Sequence, residues 1–115
     1  MAFPGTYDFK YYRGDRHEFI LRPTDSNGAT YNLNTFNGAS FTIANKRGSG
    51  STKYTAQAVI NLLSNTITCT ILPSVGKQLS SGNYVYEIQV NGDASTVITL
   101  LTGTISVTDS ITGVA

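Results

Sequence analysis

The side chains that could carry out chemistry in this chain are few and lie far apart. Only Asp15 and Glu18 are carboxylates close together in sequence, and Arg16 lies between them. Glycoside hydrolysis needs two carboxylates that converge in a cleft, whereas this pair occurs at a turn. We therefore expect the protein not to be an enzyme and to act on no small-molecule substrate. The full set of carboxylates is Asp8, Asp15, Glu18, Asp25, Glu87, Asp93 and Asp109.

The single histidine, His17, and the single cysteine, Cys69, are equally isolated. A nucleophilic thiol needs a nearby base, and a zinc site needs several His, Cys or carboxylate ligands. Cys69 lies among alternating threonines, which predicts a small buried apolar side chain; an intermolecular disulfide is the alternative. We expect no cofactor and no bound metal.

The basic residues are better candidates for function. Half of the eight lysines and arginines fall within the first 22 positions. They could form a patch that meets an acidic partner, or they could be charges that keep strand edges from pairing with other chains. Because Tyr11 and Tyr12 are adjacent in a predicted strand, one of them must point outward. A net charge of +1 on 115 residues favours neither nucleic-acid nor membrane binding. The residues predicted to contact a partner are Phe3, Lys10, Tyr12, Arg13, Arg16, Lys46 and Arg47.

Arg13-Gly14-Asp15 has the sequence of an integrin-binding tripeptide, but a tight turn explains it better. Gly14 is expected to adopt a positive φ, and Asp15 to cap the backbone of the turn. The turn would join one strand over residues 6–12 to a second over residues 17–22.

Alternating side chains predict the strands that position these residues. The clearest begins at Tyr84 and ends at Asn91-Gly92, a strong hairpin signal. After Pro73, a helical turn capped by Ser74 would cross between two sheets. About eight strands spaced by roughly ten residues predict an all-β fold, an antiparallel β-sandwich. The remaining predicted strands cover residues 29–33, 39–45, 54–62, 66–72 and 95–107.

The predicted organisation is one β-sandwich domain over residues 6–108, with an N-terminal arm at residues 1–5 and a tail at residues 109–115. No signal peptide and no membrane-spanning segment are expected. We therefore expect a soluble protein that is made in the cytoplasm.

The motifs also follow a distinctive order. A Gly-Asp turn precedes the apolar residues 19–21, and an Asp/Asn/Gly-rich turn at residues 25–28 precedes Asn32-Leu33. Later come Ser81-Gly82-Asn83-Tyr84-Val85-Tyr86 and Leu101-Thr102-Gly103-Thr104-Ile105. This order resembles the small immunoglobulin-like structural domains in virions of tailed bacteriophages. That family includes the N-terminal domains of baseplate upper proteins and short head or tail accessory proteins.

The resemblance implies an immunoglobulin-like sandwich located in the virion. The first expectation is a capsid decoration or cement protein that binds head subunits. A tail or baseplate connector is the alternative, and a surface adhesion or carbohydrate-binding module is a further one. The implied partners are other virion proteins, the major capsid protein first and tail proteins next, together with a homo-oligomer on the particle.

Overall fold

The computed structural model describes residues 5–24, 28–29, 32–34, 36–48, 50–92 and 97–109. Within these residues the chain forms eight strands and one short helix. The helix, α1, spans Pro73–Gly76 and lies between β6 and β7. The strands are β1 Gly5–Thr6, β2 Phe9–Tyr12, β3 His17–Leu21, β4 Phe36–Ala44, β5 Lys53–Asn61, β6 Thr66–Ile71, β7 Gly82–Gly92 and β8 Val97–Thr108.

All eight strands belong to one curled sheet, in the order β1-β8-β7-β4-β5-β6-β3, with β2 also paired to β8. The sheet bends at β5, because residues 53–56 of this strand pair with β4 whereas residues 57–61 pair with β6. We call the part from β1 and β2 through β8, β7 and β4 to residues 53–56 of β5 the large wing, and residues 57–61 of β5 together with β6 and β3 the small wing. The all-β prediction is confirmed.

The sheet is mixed, which corrects the expectation of a wholly antiparallel arrangement. β1 and β2 run parallel to β8, whereas β3 to β8 pair with one another antiparallel. The first and the last strands of the chain are neighbours in space, and alternation within each strand carries no information on such pairing. The predicted strand over residues 6–12 is therefore two short pieces along one edge of the sheet.

Four aromatic rings close the curl by packing across its interior. Phe19 of the small wing lies 5.5 Å from Phe9 and 5.9 Å from Phe41, measured between ring centroids. Tyr86 lies 5.4 Å from both Phe9 and Phe41. The Phe9–Phe19 pair is tilted and the other three are edge-to-face. Aromatic pairs in such arrangements are favourable beyond the area they bury, so ring contacts hold the two wings together.

The break between β1 and β2 depends on a glycine of β8. Here the Tyr86 hydroxyl donates a hydrogen bond to the carbonyl of Tyr7, and the Asp8 carboxylate accepts one from the Thr104 N–H at 2.8 Å. A Cβ atom at Gly103 would lie 2.0 Å from the Tyr7 carbonyl oxygen. Only glycine allows the edge strand to approach β8 this closely.

The crossover between β6 and β7 is helical, as predicted, but its cap is not Ser74. The helix begins at Pro73, Leu72 is its N-cap residue, and no side chain caps it. Proline suits the first helical position because its fixed φ matches the helix and it has no N–H to satisfy. After the helix, the Tyr84 hydroxyl accepts a hydrogen bond from the Ser80 N–H at 2.8 Å, which anchors the start of β7.

The predicted strand over residues 29–33 does not form in the part of it that the structure describes. Ala29, Asn32 and Leu33 lie outside the strands. Leu33 is nevertheless fully buried, and its N–H donates to the Asn65 side chain at 2.8 Å. Leu33 is therefore held by core packing and by a side-chain hydrogen bond, not by a strand ladder.

The ends of the predicted domain fall close to the ends of the sheet. Gly5, the last residue of the predicted arm, pairs with Leu101 in β1 and so belongs to the sheet. Asp109 follows β8 and is exposed. The rest of the predicted arm (residues 1–4) and tail (residues 110–115) lies outside the described residues.

Candidate partner-binding surface

Lys10 and Tyr12 project from the outer face of the large wing. Their neighbours Phe9 and Tyr11 are buried, so strand alternation turns Lys10 and Tyr12 outward. In the ladder, Lys10 pairs with Ser106, and Ser106 pairs with Asn83 of β7. Tyr12 is 58% exposed, which answers which of the two adjacent tyrosines points away from the core.

Lys46 and Arg47 lie on the loop that joins β4 to β5, and this loop is tied down by its own hydrogen bonds. Asn45 and Thr52 are joined twice: the Asn45 N–H donates to the Thr52 carbonyl at 3.2 Å, and the Thr52 N–H donates to the Asn45 side chain at 2.9 Å. The Arg47 guanidinium extends over the large wing and donates to the Thr102 hydroxyl. Arg47 is therefore held in place above the sheet.

These contacts create a shallow groove of about 80 Å³ between the loop and β7. We call it the basic groove. Its floor includes Thr42, Val85 and Glu87, which point outward because the core residues alternate with them. The charged residues that line it are Lys46, Arg47, Lys53 and Glu87.

Sequence reasoning missed Lys53 and Glu87 as members of this surface. Lys53 pairs with Ala44 at the base of the loop, and Glu87 lies between Thr42 and Thr102 in the ladder. The alternation of β7 already predicted that Glu87 points outward. Only the strand order brings it next to the loop, and the sequence does not encode strand order locally.

Arg13 has a structural role that its sequence position does not reveal. Its Nε donates to the Leu79 carbonyl at 2.6 Å, and its Nη2 donates to the Lys77 carbonyl at 2.8 Å. The side chain thus ties the turn between β2 and β3 to the crossover that follows α1. Its predicted role as a partner contact stays a prediction, but both bonded nitrogens are already used inside the protein.

The rest of this turn matches the predicted tight turn in part. Gly14 has φ +87°, as expected. The Asp15 N–H, rather than its carboxylate, closes the turn by donating to the Tyr12 carbonyl at 3.0 Å. The Asp15 carbonyl in turn accepts a hydrogen bond from the buried Tyr11 hydroxyl at 2.6 Å.

Arg16 is exposed beside this turn, and its guanidinium lies 3.2 Å from the Glu18 carboxylate. It is separated in sequence and in the ladder from Lys10 and from the basic groove. Phe3, the remaining predicted contact, lies outside the described residues. The structure therefore brings Lys10, Tyr12, Lys46 and Arg47 onto one side of the large wing, and it leaves Arg13 and Arg16 at the end of the domain.

A second, chemically different surface lies on the outer face of the small wing. Ile20 and Val59 both flank Thr68 in the ladder and are about half exposed. Leu63, in the turn after β5, is fully exposed, and its neighbour Leu62 is 58% exposed. Exposed apolar side chains that cluster in this way are typical of interaction surfaces.

Burial favours the neutral form of the buried titratable groups. Burial raises the pKa of the Cys69 thiol to about 12, and it also raises the pKa of Tyr86 and of Tyr11. Burial lowers the pKa of His17, whose Nε2 is buried without a hydrogen-bond partner among the described residues. Cys69 therefore behaves as the small core side chain that the sequence predicted.

Neither a metal cluster nor a membrane-spanning helix is found in the described part of the chain. No three His, Cys, Asp or Glu side chains come together there as potential ligands. No helix in those residues has the length and apolar character to cross a bilayer. No protein-family model matches this chain, and no curated protein matches it either.

Proposed function

We propose that this protein is a non-enzymatic structural protein of a tailed-bacteriophage virion that binds head subunits as a decoration or cement protein. The observation that carries the proposal is the outer face of the large wing. Lys10, Lys46, Arg47 and Lys53 surround a field of hydroxyl side chains there, and none of these cations forms an ion pair among the described residues. Unpaired cations around a polar face suit contact with an acidic partner surface, because complementary charge steers and orients association. The family resemblance supplies the virion as its location.

We also propose that the curled sheet is an immunoglobulin-like sandwich in which β5 is shared by both layers. The strand orders β3-β6-β5 and β4-β7-β8-β2 fit the two layers of that fold. The hydrogen bond between Tyr84 and Ser80, four residues upstream at the start of β7, fits the tyrosine corner of such domains. The wings also pack face to face through Phe19 and Phe41.

A cement protein must hold two neighbours at once, and the outer faces of the two wings point away from each other. The large wing offers cations and hydroxyls, whereas the small wing offers Ile20, Val59 and Leu63. The described residues of β2 and of β3 also form the two edges of the sheet, where a partner strand can add. Repetition over a symmetric shell makes individually weak contacts effective.

The copy number of the protein in purified particles tests this proposal. Quantitative mass spectrometry relative to the major capsid protein is expected to give copies on the order of hundreds per particle, as a symmetric shell requires. A small multiple of three or six would instead support a tail or baseplate connector. Absence from purified particles would refute the virion proposal.

The chemistry of the face is tested separately by adding purified protein back to particles that lack it. Lys10→Glu is expected to weaken rebinding, because it reverses a charge on the proposed contact face. Lys77→Glu is the matched control, since Lys77 is an exposed lysine on the crossover. Equal rebinding by both variants would exclude the large wing as the contact. Binding of the isolated protein to a glycan array, with no rebinding to particles, would favour an adhesion module.

A further inference from the structure

The basic groove concentrates positive charge far beyond the average of the chain. Lys46, Arg47 and Lys53 carry three positive charges and Glu87 carries one negative charge, so the groove has a formal charge of +2. The whole chain carries only +1, which leaves a net charge of −1 for all other residues together. The groove therefore gathers three of the eight lysines and arginines into one small concavity.

The cations of the groove are available for a partner. The ion pair of the described residues joins Arg16 to Glu18, which are outside the groove. Lys46 and Lys53 make no hydrogen bond within the described chain, and Arg47 bonds only to the Thr102 hydroxyl there. Glu87 has its own neutral partner, because the Gln89 side chain donates to it at 3.2 Å. The groove thus holds three cations that form no ion pair among the described residues, and Glu87 is the one anion in its lining.

Hydrogen bonds hold the described residues of the loop beside the groove in place. The Asn45–Thr52 hydrogen bonds close its base, and the Ser51 hydroxyl donates to the Gly48 carbonyl at 3.0 Å. Arg47 is fixed over the sheet by Thr102, whose hydroxyl donates in turn to the Tyr86 carbonyl at 3.1 Å. A preformed site loses less conformational entropy when a ligand binds.

We propose that the basic groove seats carboxylate side chains from an acidic segment of the partner protein. Its volume of about 80 Å³ accommodates a side-chain carboxylate rather than an extended polymer. Val85 and Ala44 in its wall suit the methylene groups that carry such a carboxylate. A nucleic acid is a poorer match, since such binding commonly uses six to ten phosphate contacts and the groove offers three cations. The proposal deepens the proposed function by assigning the chemistry of the contact.

A peptide titration tests the groove without any virion. The ¹⁵N-labelled protein is titrated with hexa-aspartate at low salt, with hexa-lysine, a dT oligonucleotide and phosphatidylserine vesicles as parallel probes. Hexa-aspartate is expected to shift the amide signals of Thr42, Lys53 and Glu87, with a weaker effect at 0.3 M NaCl because salt screens exposed charges. Stronger binding of the oligonucleotide or the vesicles than of the peptide would overturn the proposal.

Three variants sharpen this test. Lys46→Glu combined with Lys53→Glu is expected to weaken peptide binding at least about tenfold, since exposed charge contacts contribute up to about 1 kcal/mol each and here two reverse sign. Glu87→Gln is expected to tighten binding about two- to fivefold, because it removes the one repulsive charge. Lys77→Glu, which lies outside the groove and changes the net charge by half as much as the double variant, is the control. Equal weakening by Lys77→Glu, or no tightening by Glu87→Gln, would refute a seated carboxylate.

The proposed function and this inference fail in distinguishable ways. If the protein is abundant in particles but the groove variants bind the peptide and rebind particles as the wild type does, the inference is wrong and the virion role stands. If the protein is absent from particles but hexa-aspartate binds with the expected variant pattern, the groove is an acidic-peptide site and the virion role is wrong.

Discussion

The two arginines of the turn between β2 and β3 should have very different effects on stability when replaced by alanine. Arg13 donates to the Leu79 and Lys77 carbonyls, and the first of these bonds is partly buried. Arg16 makes one exposed ion pair with Glu18. Both replacements remove one positive charge from the same turn, so each is a control for the other.

The size of the difference follows from these contacts. A partly buried hydrogen bond from a charged donor contributes about 1.5–3 kcal/mol, whereas an exposed ion pair contributes about 0–1 kcal/mol. We expect Arg13→Ala to lower the free energy of unfolding by about 2 kcal/mol and Arg16→Ala by no more than about 0.5 kcal/mol. An unfolding entropy of about 2.1 cal/mol/K per residue over 115 residues converts the first value into a fall in Tm of about 8 °C.

Urea unfolding followed by circular dichroism measures both values. Arg13→Lys separates geometry from charge, because a lysine keeps the charge but cannot reproduce two directed bonds from a planar group; it should recover at most about half of the loss. If Arg13→Ala and Arg16→Ala prove equally stable, the hydrogen bonds from Arg13 to the crossover do not contribute to the free energy of unfolding. The Arg-Gly-Asp turn would then be free to serve as a contact.

Three further outcomes follow from the interior. Gly76→Ala should destabilise the fold by about 1–3 kcal/mol by overpacking, because its Cβ would lie 1.7 Å from the Tyr11 hydroxyl oxygen. Gly38→Ala is the control in urea unfolding, because its Cβ would lie 3.3 Å from the Asn91 side-chain oxygen, a contact that needs only a small shift of that side chain. Burial lowers the pKa of His17 in the folded protein, so the unfolded chain takes up this proton at a higher pH than the folded chain does. The free energy of unfolding should therefore fall as the pH drops below about 6.5. The free energy of unfolding of His17→Phe, measured by urea titration at several pH values, should depend less on pH than that of the wild type. An equal pH dependence would refute the role of His17. Burial raises the pKa of Cys69 to about 12, so Ellman's reagent at pH 8 should label it only after unfolding; labelling of the native protein at the rate of a free thiol would contradict this.

Local alternation made most of the strands predictable, because each strand buries one face and exposes the other. Phe41 and Ile43 are buried in β4, and Tyr84, Tyr86, Ile88 and Val90 are buried in β7, as their spacing predicted. The β7–β8 hairpin is confirmed by the pairing of Asn91 with Val97. Features that depend on neighbours distant in sequence were not predictable in this way.

Four differences show what local patterns lack. The parallel pairing of β2 with β8 joins Phe9 to Ile105, and nothing in either strand specifies the other. Residues 29–33 alternate like a strand, yet Leu33 is fixed by Asn65 instead of a ladder. Arg13 resembled a surface cation because its acceptors, the carbonyls of the crossover, are not visible in a sequence. The basic groove escaped prediction for the same reason, since Lys53 and Glu87 meet only through strand order.

The residues that hold the fold and those that we propose for binding are different sets, which makes the proposals testable by substitution. Tyr11, Arg13, Tyr86 and Gly103 act in the interior or at the crossover. Lys46 and Lys53 project from the large wing and have no hydrogen bond within the described chain that a substitution would break. Charge reversal of these two lysines should therefore alter binding at nearly unchanged Tm. If it instead lowered Tm as much as Arg13→Ala, the groove would be part of the folding machinery, and any loss of binding would have to be attributed to the fold.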